Sequence, residues 1–445
     1  MKRILLVLLT IVVLPQARAA LDIQSWNLPN GARVLFVENH SIPILDVSVE
    51  FDAGARRDPA AKAGLAALTN QMLAHGIAAS QGGNGQMTEP ALSEAQISDA
   101  LADTAAQHGG SAGVDRAGVT LRTLSSPRER DAALLLIARM LAQPSFPEDI
   151  LNRDKARAIA AIKEALTKPE AIVGKAFMRT LYGSHPYALE ATEASVGAIT
   201  HDDLVAFHRS HYLADHAVVA MIGDISRDQA DAIARQLTMR LPASAPGSSL
   251  PALPRVEPIA ATEERIPHPA SQAHILTGAP ALARGDPDYF SLVVGNYVLG
   301  GGGFVSRLTR EVREKRGLSY SVYSYFNPLA QEGPFQVGLQ TKKDQTDQAL
   351  QVVRQTIAAF LRDGPTEQEL KAAKDNLIGG FPLRIDNNRK ILDNIAAIGF
   401  YRLPLDYLNT WTANVAKVST SDIRGAFKRK IAPERMATVI VGVEK

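Results

Sequence analysis

Residues 299–325 read LGGGGFVSRLTREVREKRGLSYSVYSY, and three textures follow one another in them. Four consecutive glycines stand at 300–303, a basic helical stretch carries Arg310, Arg313, Lys315 and Arg316, and Gly-Leu-Ser-Tyr at 317–320 opens onto a strand. The glycines do not follow a strand at phosphate-loop spacing, so they imply a hinge or close packing rather than a phosphate cradle. Arg313 is expected near the end of the helix and Tyr320 on the following strand, with a turn at Gly317 bringing both tips to one surface. Taken alone, the segment also reads as a solvated basic face beside a half-buried aromatic.

Working outward, strand pairs are followed by helices. Residues 31–38 (GARVLFVE) and 44–51 (ILDVSVEF) read as strands joined by a polar turn, which suggests a hairpin. Helical periodicity follows over 60–73, with Leu65, Leu68 and Met72 on one face. Residues 80–89 read as a mobile Gly/Ser/Asn loop, 114–124 as a strand, 128–141 and 151–166 as helices, and 217–223 as a strand. Between 241 and 269 stand seven of the 25 prolines, the best linker in the chain. Beyond it, 273–276 begins a second half that ends with a strand over 435–443. A shift of 219 positions pairs Asp203-Leu204 with Asp422-Ile423, Ala220 with Val439, Ile222 with Val441 and Gly223 with Gly442. The expected fold is therefore α+β: two homologous modules, each a mostly antiparallel sheet with helices packed on it, over 20–240 and 270–445, joined by a linker at 241–269.

Composition narrows the function. With 445 residues, 46% hydrophobic and 21% charged, the chain is ordinary globular protein. Its lack of cysteine excludes disulfides, thiolate zinc sites, iron–sulfur clusters and cysteine nucleophiles. Lys2 and Arg3 precede an apolar run at 4–14, and Ala17-Arg18-Ala19 supplies small residues for a signal peptidase. Residues 1–19 are therefore expected to be a signal peptide, cleaved near Ala19, that directs export to a periplasm with no stable membrane anchor. Without Lys2, Arg3 and Arg18, 45 basic side chains face 46 acidic ones, so nucleic acid is a poor candidate partner.

The order of these pieces, above all 299–325 together with Ser184-His185-Pro186-Tyr187 and the helix and strand that follow, resembles the M16 family of zinc metallopeptidases in its bacterial two-module form. The resemblance covers nearly all of the mature chain and implies the M16/LuxS-like metallopeptidase fold. Catalytic members carry His-x-x-Glu-His on the helix after the first strands, with two zinc ligands and a general base. Here Ala67 and Gln71 stand at the ligand positions and Asn70 at that of the base. Alanine offers no lone pair, an amide is a poor zinc ligand, and asparagine accepts no proton near neutrality. The family's later acids fall by this resemblance on Asp154 and Ala161, with Glu164 close by. No metal or other cofactor is expected in this chain.

The remaining histidines do not rebuild a site by pattern. His75 follows the degenerate helix, and His208 with His211 reads as a partly exposed polar face near Tyr212. His185 reads as a turn contact, and His108 as the end of a helix before Gly109-Gly110. What the resemblance leaves is an Arg and a Tyr seven residues apart, contributed in trans to a partner's zinc site: Arg313 and Tyr320. The implied function is a non-zinc subunit of a heteromeric periplasmic peptidase acting on unfolded peptides, with zinc in a partner that keeps His-x-x-Glu-His. The alternative is a non-catalytic peptide-binding or scaffold protein of the same fold.

Overall fold

The structure, a computed structural model, describes residues 21–81, 87–245 and 250–443. The expected signal peptide at 1–19 lies outside them, as do the middle of the 80–89 loop and part of the linker. The described ends of that loop, Ser80–Gln81 and Met87–Glu89, pair as a short antiparallel ribbon. Among the described residues no helix is long and apolar enough to cross a membrane.

The first sheet has six strands in the order Gln24–Asn27, Arg33–Glu38, Val218–Gly223, Ile44–Phe51, Ala117–Leu124, Gln107–Ala112. The expected hairpin is therefore wrong: Val218–Gly223 lies between its two members, parallel to Arg33–Glu38 and antiparallel to Ile44–Phe51. The reason is composition. All six residues of that closing strand (VVAMIG) are buried, and a run apolar on both faces belongs in the middle of a sheet. Its Val219 sits between Val34 and Val49, and its Met221 between Phe36 and Val47.

The second sheet repeats the first without its outermost strand. Its order is Thr262–Pro267, Ala437–Val443, Gln272–Leu282, Gly333–Lys342, Val322–Phe326, again with one parallel pair between the first two. Thr262–Pro267 corrects the linker reading, because six residues of the proline-rich stretch form an edge strand. Its charged TEERIP sequence disguises it, since exposed edges favour charge over the alternation that marks a half-buried strand. The second half's first central strand also runs to Leu282, well past the expected 276.

The 219-residue offset is matched in detail. The His201–His211 helix starts with a capping box between Thr200 and Asp203, and Thr420–Lys430 with one between Ser419 and Asp422. Leu204 and Ile423 are both fully buried. Each closing strand then needs a glycine for the same reason. A Cβ on Gly223 would stand 2.3 Å from the Ile44 carbonyl oxygen, and one on Gly442 2.5 Å from that of Gln272.

Each half covers the other's sheet with a helix. Pro169–Tyr182, from the first half, lays Val173, Phe177 and Leu181 on Leu276, Val439 and Val441 of the second sheet. Asn388–Tyr401, from the second, packs Ile391, Ile395 and Ile398 into one core with Leu35, Val37, Ala220 and Ile222 of the first. At the seam, buried Asp115 accepts hydrogen bonds from Arg56 Nη1 (2.8 Å), Tyr187 Oη (3.0 Å), Ala330 N (2.8 Å) and Tyr401 Oη (2.9 Å). Two of those donors come from each half.

Candidate functional site

Two places carry the residues singled out by sequence. The first is the helix Leu65–Met72, which buries Leu65, Leu68 and Met72 as the periodicity requires. Asp58 fixes its start, accepting from the Gly64 and Ala66 amides at 2.7 Å each. Burial pushes the Asp58 carboxyl up to about 6, against the pull of those amides. Ala67 and Gln71, one turn apart, are exposed on the opposite side of the helix, where ligands would project. Asn70 is buried and its amide is committed to structure, donating to the Gly118 carbonyl at 3.1 Å and to Tyr212 Oη at 3.2 Å.

Opposite this helix stands Asp154, 1% exposed, on the helix Glu148–Ala165. Gln71 Nε2 donates to its Oδ2 at 3.0 Å. Asp154 thus meets the Gln71 side chain directly. Ala161 is exposed two turns further along, and Glu164, also exposed, pairs with Lys168 at 2.7 Å.

Cationic side chains surround Asp154. Arg153 Nε donates to its Oδ1 at 3.0 Å, while both terminal nitrogens of Arg153 grip Glu94 at 2.8 and 2.9 Å. Arg153, followed by the smaller effects of nearby His75 and Arg157, holds the Glu94 carboxyl below its ordinary range. His75 places Nδ1 3.0 Å from Asp154 and Nε2 3.5 Å from Glu94, so its two nitrogens serve different carboxylates and do not converge on one point. A catalytic zinc needs about three converging protein ligands. Among the described residues no group of three or more His, Asp or Glu can hold a metal ion. The donor set does not fit zinc: an arginine bridges the acids where a metal's charge would be required.

The other histidines have structural partners. His208 is buried rather than partly exposed, placing Nε2 2.7 Å from the Leu141 carbonyl oxygen and stacking on Tyr212. Burial lowers its pKa below the ordinary histidine value. His211 stacks on Phe207. His108 lies within the strand Gln107–Ala112 and ends no helix, because the Gly-Gly after it continues the pairing with Ala117–Leu124. His185 does make a turn contact, accepting from the Tyr187 amide at 3.1 Å.

The second place is the 299–325 segment. A wide helical turn, Thr309–Glu314, ends at Gly317, whose φ of 62° suits the left-handed exit that lets the Leu318 amide reach back to the Val312 carbonyl at 2.9 Å. The strand begins only at Val322, so Tyr320 precedes it rather than lying on it. Ser319 Oγ donates to the Ser321 carbonyl at 2.6 Å and accepts from the Ser321 amide at 3.2 Å, which turns the chain there. Tyr320 projects from that turn and is 83% exposed.

Arg313 meets it there. The Arg313 guanidinium carbon lies 4.8 Å from the centre of the Tyr320 ring, and also 4.8 Å from that of Phe304 in the short helical turn Gly303–Val305. The basic-face reading holds for its neighbours: Lys315 and Arg316 pair with Glu311 at 2.8 and 2.9 Å, and Arg310 lies 3.4 Å from it. Lys315 first, then Arg316, hold the Glu311 carboxyl down at about 2. Arg313 has no carboxylate partner among the described residues. Phe304 was missed by sequence reading. The available signal was a Phe-Val pair directly after four glycines, large apolar residues where no core pattern supports them.

Residues 198–377 match the Peptidase M16 inactive domain family. The crystal structure of a peptidase M16 inactive domain from Pseudomonas fluorescens is 35% identical, with a TM-score of 0.88 over 96% of this chain and 99% of that one. A Helicobacter pylori protein named Non-peptidase homolog YmxG is 27% identical over 100% of this chain and 99% of its own length. An uncharacterized zinc protease of Streptomyces coelicolor is 28% identical over 70% of this chain and 68% of its own length. With a fold shared over 96% of its length, the chain belongs to the M16 peptidase family as an inactive homologue of its zinc proteases.

Proposed function

We propose that this chain is the non-zinc subunit of a heteromeric periplasmic M16 metallopeptidase, exported by a signal peptide at 1–19 and paired with a chain that keeps His-x-x-Glu-His and holds the zinc. Its contribution is Arg313 and Tyr320, presented in trans to the partner's site. The observation that carries this reading is their meeting at an exposed tip, with Arg313 free of any carboxylate among the described residues while its basic neighbours are paired. A guanidinium without an acid offers its fixed donors to a peptide carbonyl or carboxylate. A phenol beside it can donate to an oxyanion as charge develops in the transition state. The substrates are unfolded peptides. Gln107–Ala112, the free edge of the first sheet beside the relic helix, offers backbone groups to an added strand.

The test is co-expression with an M16 chain that carries the intact motif. The mixed complex cleaves peptides in a chelator-sensitive way, this chain alone does not, and Arg313→Ala abolishes the activity while the complex still assembles. Chelator-sensitive cleavage by the isolated chain would falsify the proposal. One observation favours a second reading, a non-catalytic peptide-binding or scaffold protein: the full-length relative from Helicobacter pylori bears the name of a non-peptidase. Under that reading the mixed complex gains no activity from this chain.

A further inference from the structure

The tip that carries Arg313 and Tyr320 has an apolar surround. Phe304 is 71% exposed and Val305 69%, although both belong to a short helical turn, Gly303–Val305, whose backbone is firmly held. Ser306, fully buried, closes that turn by donating its amide to the Gly303 carbonyl at 3.1 Å and its hydroxyl to the same oxygen at 2.8 Å. The exposure of Phe304 is thus built in. A cation 4.8 Å from each of two exposed aromatic rings, with exposed Val305 next to Phe304 in the chain and no carboxylate partner among the described residues, gains nothing as plain surface. Its complement is an acceptor oxygen for the guanidinium placed next to a bulky apolar side chain. An extended peptide offers that pair at every large apolar residue, where carbonyl and side chain lie within one ~3.3 Å backbone step.

Resting on the reading of Arg313 and Tyr320 given above, we propose that Phe304, with Val305, is a specificity-determining shelf that receives a bulky apolar side chain of an unfolded peptide whose neighbouring carbonyl Arg313 holds. The substrate class is therefore unfolded peptides with a large aliphatic or aromatic residue beside the bond presented to the partner's site.

Binding to the full chain alone tests this. Two short fluorescein-labelled peptides, identical except for a central Leu or Ser, are titrated by fluorescence anisotropy. The Leu peptide is expected to bind about ten-fold more tightly, from partial burial of its side chain. Phe304→Ser removes that preference and Phe304→Leu keeps it. Equal affinities for the wild-type chain, no binding of either peptide, or a preference that survives Phe304→Ser would each overturn the shelf. Arg313→Ala separates this from the reading beneath it. If it weakens both peptides and leaves their ratio intact, backbone and side-chain contacts are distinct as proposed. If it changes neither affinity while Phe304→Ser still abolishes the preference, the shelf stands and the role of Arg313 falls.

Discussion

Tyr401, the last residue of the helix that the second half lays over the first, donates its hydroxyl to Asp115 across 2.9 Å. Asp115 belongs to the turn between Gln107–Ala112 and Ala117–Leu124 and is 2% exposed, so one buried carboxylate joins donors from both halves. Asp115→Ala leaves Arg56 Nη1, the Tyr187 and Tyr401 hydroxyls and the Ala330 amide without this acceptor, though Arg56 keeps Asp52, and is expected to lower stability by about 3 kcal/mol. Tyr401→Phe removes one donor and should cost only about 1 kcal/mol. Urea unfolding of the two variants checks the order; equal effects would show that the cluster does not work as a hub.

Arg313 and Tyr320 predict separable kinetics in the mixed complex. Tyr320→Phe keeps the ring under the guanidinium but loses the hydroxyl, and should reduce turnover on the order of 10²–10³-fold if that hydroxyl meets an oxyanion. Arg313→Lys should fail to restore what Arg313→Ala loses, because an ammonium lacks the planar fork. Steady-state peptide cleavage, with assembly followed by size-exclusion chromatography, decides both.

The relic helix predicts a partial return of metal binding. Ala67 and Gln71 are exposed one turn apart, and Asp154 already stands 3.0 Å from Gln71. Ala67→His with Gln71→His should give zinc binding measurable by calorimetry. Adding Arg153→Met, which removes the guanidinium bonded to Asp154, should tighten it by on the order of ten-fold, or ~1.4 kcal/mol. Binding that is unchanged by the third substitution would mean that Arg153 does not compete with the metal.

Glu369 predicts an acid limit. Burial opposes its charge, but Arg307 at 2.6 Å and the Thr366 donors outweigh that and hold the carboxyl down at about 2, against an ordinary 4.5. Because the folded value is the lower one, its stabilisation is complete above about 4.5 and is lost as pH falls from there toward about 2. Glu369→Gln should lower stability at neutral pH and flatten the fall in melting temperature over that window. Arg307 belongs to the same segment as Phe304 and Arg313, so acid should loosen the exposed tip early.

Sequence reached the parts of this molecule that local chemistry writes. The helices that carry Asp203 and Asp422 and the apolar closing strands after them are written in short stretches of sequence, and their repetition at a 219-residue offset is present in the fold. The helix expected to carry Ala67, Asn70 and Gln71 is also present, as Leu65–Met72. Sequence failed where tertiary context decides. The hairpin failed because insertion of Val218–Gly223 comes from far along the chain, and Thr262–Pro267 was hidden by edge charge. The apposition of Asp154 and Gln71 joins helices 83 residues apart, and burial of His208 depends on distant neighbours such as Leu141, 67 residues away. Phe304 was invisible for the opposite reason: its meaning lies in being uncovered, and exposure is a property of everything that does not pack against it.

The exchange of helices between the two sheets bears on whether the chain can hinge between its halves. A clamshell with its joint inside this chain would have to strip Pro169–Tyr182 and Asn388–Tyr401 from the surfaces they protect, leaving both greasy sheets wet. The two halves are therefore held as one body, with the joint between them closed by their own helices.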